Sequence, residues 1–361
     1  MGTPVESILV EGFKSIARAE VALAPLNVLI GANGSGKSNF ISVFELLRRV
    51  SQTGLQRIVT ERGGPERFLR NGRKVTKEFR LETRFSVGTW ETVFFATDAN
   101  QLVLTENTRG AAGYQGTGAT PQFMQPESSL ESAARRDPHG DAARIWAGVV
   151  GISSFHFHDV SREAAVKQPC SVTDNHALKH DAGNLAAILL RMREGSAAAY
   201  ERVLKTVRLV APFLRDFELR PANGFVSLGW FERGSDTLFD AHALSDGTLR
   251  FICLATMFFQ PERPQLFVID EPELGLHPAA IQVLTSLFRS VTREFGVQIV
   301  AATQSTVMVS QLTPEDILVV ERGEQEGSTF RRLDEANLTG WLDGYSLGEL
   351  WEKNILGGRP R

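Results

Sequence analysis

Two places in the chain assemble the side chains that phosphate chemistry needs. The first is Gly31-Ala32-Asn33-Gly34-Ser35-Gly36-Lys37-Ser38, which fits the pattern G-x-x-x-x-G-K-[ST]. Gly31, Gly34 and Gly36 let consecutive backbone N–H groups turn toward phosphate oxygens. Lys37 supplies a cation for the β and γ phosphates, Ser38 supplies a hydroxyl for Mg²⁺, and Asn33, Ser35 and Asn39 complete the stretch. The second place is Asp270-Glu271, at the end of the apolar run Leu266 to Ile269. In phosphoryl transfer an acid at a strand end holds the metal shell, which suits Asp270, and a second acid deprotonates water, which suits Glu271. Taken singly, the glycines have a plainer reading as the start of a helix, and the two acids as a helix cap. Their presence together points to ATP and Mg²⁺ as cofactors.

These residues need elements to hold them. Val28, Leu29 and Ile30 read as a buried strand, and Phe40, Val43, Phe44, Leu47 and Val50 as one apolar face of the helix after the loop. Upstream, Ile8 to Glu11 and Val21 to Leu23 read as strands joined by the turn Gly12-Phe13-Lys14-Ser15. That turn is either a solvated hairpin tip or a contributor to the nucleotide site, in which case Lys14 binds phosphate. Downstream, Leu244-Ser245-Asp246-Gly247-Thr248 precedes an apolar helix, Leu249 to Phe259. Ile281, Leu284, Leu287, Phe288 and Val291 make a further helix, with Pro278 in its first turn. Gln298 to Ala302 is then a strand parallel to Leu266 to Ile269, and Thr303-Gln304-Ser305 leaves the end of that strand where ligands of open α/β sheets collect.

With 361 residues, 42% of them apolar, the chain has room for one large or two ordinary domains. No apolar run is long enough for a membrane span, and Met1 to Val10 lacks the regions of a signal peptide, so the expected location is cytoplasmic. Cys170 and Cys253 are the only cysteines, which excludes a disulfide framework or a cysteine-based zinc site. The net charge of -3 gives no overall footprint for nucleic acid. The local exception is Arg57 to Arg84, with nine Lys/Arg against four Asp/Glu. Within it Phe79, Leu81, Thr83 and Phe85 alternate with Arg80, Glu82 and Arg84, so one strand face is buried and the other charged. That charged face is a solvated surface or a contact for nucleic acid or a partner.

The expected organisation is an N-terminal lobe over 1–104, a flexible insertion over 105–141, a strand and helical subdomain over 142–215, and a C-terminal lobe over 216–361. The insertion is inferred from Gly, Ala, Ser, Thr, Gln and Pro without periodicity. His156 and His158 fall at i, i+2 on an expected strand, and with no third ligand nearby a packed role is favoured over a metal site. Helices are expected over Asn184 to Met192 and around Val203, Val207 and Val210. Phe217 to Trp230 reads as two strands about the turn Pro221-Ala222-Asn223-Gly224. The tail beyond Asp316 holds strands over Ile317 to Val320 and Phe330 to Leu333, then a helix near Leu347 to Lys353.

The phosphate loop, the Leu244 to Thr248 signature and the Asp270-Glu271 pair, in this order and spacing, resemble the ABC-type ATPases, and among them the SMC-like and RecF-like proteins. Gly12-Phe13-Lys14-Ser15 and the string from Asp270 to Pro278 are similar to those of the AAA group that includes the overcoming-lysogenization-defect (OLD) nucleases. The resemblance covers nearly the whole chain and implies an α/β fold, a P-loop ABC-ATPase-like head with a mixed β lobe and a helical insertion. It also implies an ATP-dependent homodimer or higher oligomer, in which Ser245, Asp246 and Gly247 of one head meet the γ-phosphate held by Lys37 of another. Gln304 stands where most such enzymes carry a γ-phosphate-sensing histidine; an amide donates a hydrogen bond but takes no proton, so turnover is expected to be slow. The glutamine that links the first lobe to the metal is assigned to Gln168 by order alone. No acidic nuclease constellation is evident in the tail, so cutting is expected to come from a separate effector chain. The implied work is on DNA or such a partner, in DNA repair or antiviral defence. A transporter's nucleotide-binding subunit and a regulatory ATP-binding scaffold are the alternatives.

Overall fold

Apolar alternation builds the first hairpin, β1 (Val5–Phe13) and β2 (Ile16–Ala22), which reverses at Lys14, a non-glycine residue with φ 48°. The structure, a computed structural model, describes residues 3–110, 124–323 and 327–358. The chain continues through β3 (Leu26–Ile30), α1 (Lys37–Ser51), α2 (Leu55–Glu61), β4 (Glu78–Phe85), β5 (Gly88–Ala96), β6 (Leu102–Gly110), α3 (Leu130–Arg136), α4 (Asp141–Val150) and β7 (Ile152–Phe155). After these come β8 (Cys170–Ser171), α5 (Leu185–Gly195), α6 (Ala197–Val210), β9 (Leu214–Glu218), β10 (Phe225–Val226), β11 (Gly229–Glu232), β12 (Leu238–Asp240) and α7 (Asp246–Phe259). The last elements are β13 (Leu266–Asp270), α8 (Pro278–Phe295), β14 (Gln298–Ala302), α9 (Thr306–Val309), β15 (Ile317–Gly323), β16 (Gly327–Arg332) and α10 (Leu347–Glu352).

The chain divides into two units. One comprises Met1–Ser154, Gln265–Val268 and Thr292–Arg361; the other comprises Phe155–Pro264 and Ile269–Val291. In the first unit the strands run β6-β5-β4-β1-β2-β16-β15-β3-β14, continuing to β13 and β7 in a mixed sheet. β3, the most buried of these strands, is parallel to β14 on one side (Leu29 opposite Ala302) and to β15 on the other (Leu29 opposite Leu318). Thus the tail strands are central: the β15–β16 hairpin stands between the loop-bearing strand and the N-terminal antiparallel strands. The expected apolar face of α1 is fully buried, and Ile41 and Leu46 off that face are buried too, because α1 touches α2, α4 and β14.

The charged face of β4 is a lattice of ion pairs. Arg80 reaches Glu91 (2.9 Å), Glu82 (3.0 Å) and Glu11 (3.7 Å), and Arg84 reaches Glu82 (3.4 Å). The charges of Arg80 and Arg84 are therefore answered by Glu82 on β4 itself and, for Arg80, by Glu11 on β1 and Glu91 on β5.

One expectation about local structure needs correction. The irregular insertion over 105–141 holds the second half of β6 and all of α3, while its residues 111–123 lie outside the described residues. The sequence signal missed there is Glu106, a buried carboxylate that accepts from Trp90 Nε1 (3.1 Å), Ser128 Oγ (2.7 Å) and the Ser129 N–H (2.6 Å) and so pins residues 128–129 to the sheet. In the second unit, Asn223 and Gly224 do make a tight turn, closed by paired Ala222 and Phe225 bonds. The strands at the two ends of the stretch, β9 and β11, pair antiparallel about it as expected, with Phe217 opposite Trp230, while the short β10 between them pairs with β8.

Candidate functional site

In the first unit the phosphate loop runs from the end of β3 into α1. Gly31 has φ 153° and Gly36 φ 118°, values that L side chains rarely adopt. Space forbids a side chain as well: a Cβ on Gly31 would overlap the Val320 carbonyl, and one on Gly36 would overlap Ser328. Gly36 is also the N-cap of α1, and with no side chain to cap it the first-turn N–H groups remain directed at the loop. The buried Lys37 ammonium donates to the Gly31 carbonyl (2.6 Å) and the Ala32 carbonyl (3.1 Å), so the cation sits over the loop. Asn33, Gly34 and Ser38 are exposed, and Ser35 is buried.

A residue invisible to motif reading holds the loop from behind. Ser328 on β16, fully buried, donates from Oγ to the Ser35 carbonyl (2.6 Å) and lies 2.7 Å from Ser15 Oγ. Ser15 in turn accepts from Asn39 Nδ2 (2.8 Å), and its carbonyl accepts the Ser328 N–H (2.8 Å). The β1–β2 turn is thus bonded to the start of α1 rather than standing free in solvent. Lys14 Nζ donates to Ser42 Oγ on α1 (2.7 Å). Burial, with the Arg62 guanidinium nearby, pushes the Lys14 ammonium down to about 8, and Glu45 opposes part of that shift.

Beside these residues opens a pocket of about 530 Å³ lined by Lys14, Arg62, Arg67 and Arg322 together with Ser15, Asn39, Glu66 and Phe68. Arg62 is paired with Glu45 (2.6 Å), and the excess of cations that Lys14, Arg67 and Arg322 leave over Glu66 suits the pocket to an anion. Gln304 is exposed, two residues beyond β14; the Thr303 N–H bonds the Leu29 carbonyl (3.0 Å), which sets Gln304 one strand away from the start of the loop.

The remaining sequence candidates lie in the second unit. β13 ends at Asp270, and Glu271 follows with φ 45°, a left-handed conformation costing on the order of 1–3 kcal/mol in a non-glycine residue. Ser245 caps α7, its Oγ accepting the Thr248 N–H (3.2 Å). Exposed at that helix start, Ser245 keeps the geometry of an anion contact as well as that of a cap. Asp246 pairs with the Lys167 ammonium (3.6 Å), and Gly247 packs so closely on Gly275 that a Cβ would overlap the Gly275 carbonyl. Gln168 follows Lys167 and spends its amide N–H on the Arg162 carbonyl (3.1 Å). His156 and His158 lie beyond the end of β7 rather than within a strand, because the chain turns irregular after Phe155. His158 Nε2 bonds the Asp270 carbonyl (3.0 Å).

Each residue read as a metal ligand carries an oxygen donor of the kind Mg²⁺ takes. Ser38 hydroxyl and Asp270 carboxylate are hard oxygen donors, and among the described residues no group of three or more His, Cys, Asp or Glu forms a metal cage. A cation that keeps waters and phosphate oxygens in its shell needs no such cage.

The family profile described as "AAA domain, putative AbiEii toxin, Type IV TA system" matches residues 26–144 and 160–310. Among solved structures the chain is similar to an SMC head bound to the C-winged helix domain of ScpA, at 15% identity and a TM-score of 0.57 over 92% of this chain and 98% of that one. It is also similar to an SMC head with an extended coiled coil bound to the C-terminal domain of ScpA from Pyrococcus furiosus, at 14% identity and a TM-score of 0.56 over 94% and 99%. No match is found among curated proteins. The fold is therefore that of an SMC-head-like P-loop ATPase, a mixed α/β architecture as the motifs imply. Among the described residues no helix is long and apolar enough to cross a membrane.

Proposed function

The chain belongs to the AAA domain family of the AbiEii type, SMC/RecF-like in kind, and on that premise we propose that it binds ATP with Mg²⁺, hydrolyses it slowly, and uses the cycle to close head on head. The observation that carries this reading is the joining of the glycine-restricted loop to the cationic pocket through Ser15, Asn39 and Ser328. Backbone N–H groups, the dipole of α1 and Lys37 take the phosphates, and Lys14, Arg62, Arg67 and Arg322 offer further charge for the rest of the nucleotide. Ser38 and Asp270 would hold Mg²⁺, which supplies charge neutralisation on the phosphates when bound. Glu271 deprotonates the attacking water. Gln304 can orient that water or the γ-phosphate by hydrogen bonding but cannot accept its proton, which is the reason to expect slow turnover.

Ser245, Asp246 and Gly247 act on the nucleotide of a second copy. Ser245 is exposed at a helix N-terminus, which supports this role. ATP then shifts the population toward the closed dimer because it contacts both heads there and one head otherwise. The output is proposed to be a change in DNA or in a separate effector protein. Two SMC heads similar in fold are bound to parts of ScpA, which supports a protein partner as one form of that output. Service in genome maintenance or antiviral defence is proposed by family analogy alone.

The test is a pair of variants. Lys37→Ala loses ATP affinity, whereas Glu271→Gln keeps it and loses roughly 10²- to 10⁴-fold in turnover. Hydrolysis at the unmodified rate by Glu271→Gln removes that residue from the chemistry, and unchanged ATP binding by Lys37→Ala removes the loop.

A further inference from the structure

The helix that begins with Ser245 carries Arg250 one turn on, and the guanidinium of Arg250 is bound to backbone on two sides. Its Nε donates to the Phe157 carbonyl (2.9 Å), Nη2 to the His158 carbonyl (2.7 Å) and Nη1 to the Leu274 carbonyl (2.9 Å). Leu274 belongs to the loop that follows β13 and begins with Asp270-Glu271. His158 returns to the other end of that loop, its Nε2 3.0 Å from the Asp270 carbonyl; a carbonyl only accepts, so Nε2 carries the hydrogen. Glycine is favoured at the crossing point by its left-handed φ of 74°, and a Cβ on Gly275 would also meet Arg250 Nη1. Residues Asp270 to Gly275 are therefore enclosed by a frame of hydrogen bonds made by α7 and residues 157–158. Inside that frame Glu271 is held at φ 45°.

We propose that Arg250, with His158 as a second strut, is a positioning residue that holds the Asp270 to Gly275 loop in the shape that presents Glu271. It thereby couples that shape to the Ser245 end of α7. The proposal rests on the reading of Glu271 as the base. Three carbonyls spread around one planar group suit arginine, whose five N–H donors are fixed in a fork; a lysine ammonium in its place would reach fewer of them. Strain at one catalytic carboxylate persists only where surrounding bonds over-determine it, and these are the bonds the structure shows around this loop.

Hydrogen–deuterium exchange on the full chain, read by mass spectrometry, tests the frame without relying on turnover. Within the loop the Leu274 and Leu276 N–H groups bond the Glu271 (3.1 Å) and Glu273 (2.9 Å) carbonyls and report its opening. In Arg250→Lys, exchange over residues 270–277 is expected to rise about tenfold, the scale of one lost charge-assisted bond, with the 31–40 and 214–218 segments unchanged. Turnover is expected to fall by a similar factor while the Kd for ATP holds, and Arg250→Gln is expected to go further in the same direction. His158→Ala, which leaves Arg250 intact, should accelerate the same peptide. If Arg250→Gln fails to fold, Arg250→Lys and His158→Ala decide the matter. Wild-type exchange over 270–277 in both, or an equal acceleration at 214–218, overturns the proposal. Faster loop exchange in a chain whose Glu271→Gln variant still hydrolyses ATP would leave the frame standing and refute the base assignment instead.

Discussion

Replacing Ser328 by alanine isolates what the buried tail hydroxyl does for the phosphate loop. The change removes one oxygen atom and leaves the backbone bond from the Ser328 N–H to the Ser15 carbonyl in place. It leaves the Ser35 carbonyl without its 2.6 Å donor and Ser15 Oγ without one of its two neighbours, at a site with no solvent exposure to compensate. Leaving a buried polar group unpaired costs about 1–3 kcal/mol, and Ser15 retains Asn39, so the lower half of that range applies to Ser15 and the full range to Ser35. If the loss falls on the loop alone, it appears as ATP affinity reduced by roughly 5- to 150-fold, at 1.4 kcal/mol per decade. If it spreads over the fold, it appears instead as a lower Tm, by about 1–2 °C per kcal/mol, since the shift falls as chain length rises. Calorimetric titration with a non-hydrolysed ATP analogue and a thermal melt on the same sample separate the two. A cycle with Ser15→Ala should be non-additive, because the two hydroxyls share one bond. ATP affinity within twofold of the parent chain and an unchanged Tm would show that the loop keeps its shape without the tail strand, refuting the reasoning.

Other outcomes follow from the same geometry. In light scattering after size separation, Glu271→Gln should form a larger particle with ATP and Mg²⁺, and adding Ser245→Arg should abolish it; a mass that ignores ATP removes the trans role of Ser245. ATP affinity should weaken as pH rises through about 8, since burial and Arg62 lower the Lys14 pKa to that region and a bound anion favours its charged form. Folding has the opposite sign from this group: the unfolded lysine binds its proton up to about 10.5, so stability rises with pH between about 8 and 10.5. Lys14→Ala should flatten the binding profile, and a profile unchanged by that substitution clears Lys14 of any part in it. Charge reversal at Arg80 and Arg84 should leave the salt dependence of DNA binding nearly unchanged, because Glu11, Glu82 and Glu91 already answer those charges. A slope reduced by about one or more would return that face to nucleic-acid contact.

The amino-acid sequence alone determined the parts whose chemistry is local. A phosphate loop is legible because its glycines, lysine and serine must be neighbours along the chain to bend one backbone segment around one anion. The strand before it, the helix after it and the strand ending in Asp270 are legible for a related reason, since periodicity and runs of apolar residues report burial without any knowledge of what covers them. Tertiary structure decided everything that depends on residues far apart in sequence. Ser328 is 293 positions from the Ser35 carbonyl it holds, and it reaches that carbonyl only because β15 and β16 enter the sheet beside β3. Arg250 looks in sequence like one polar residue on an apolar helix, yet it bonds carbonyls 92 and 93 residues upstream and 24 downstream. The charged face of β4 became an ion-pair lattice once neighbouring strands brought Glu11 and Glu91 alongside Arg80. A backbone carbonyl carries no residue-type signature, and a charge reveals its partner only when the sheet is assembled, so neither contact leaves a pattern along the chain.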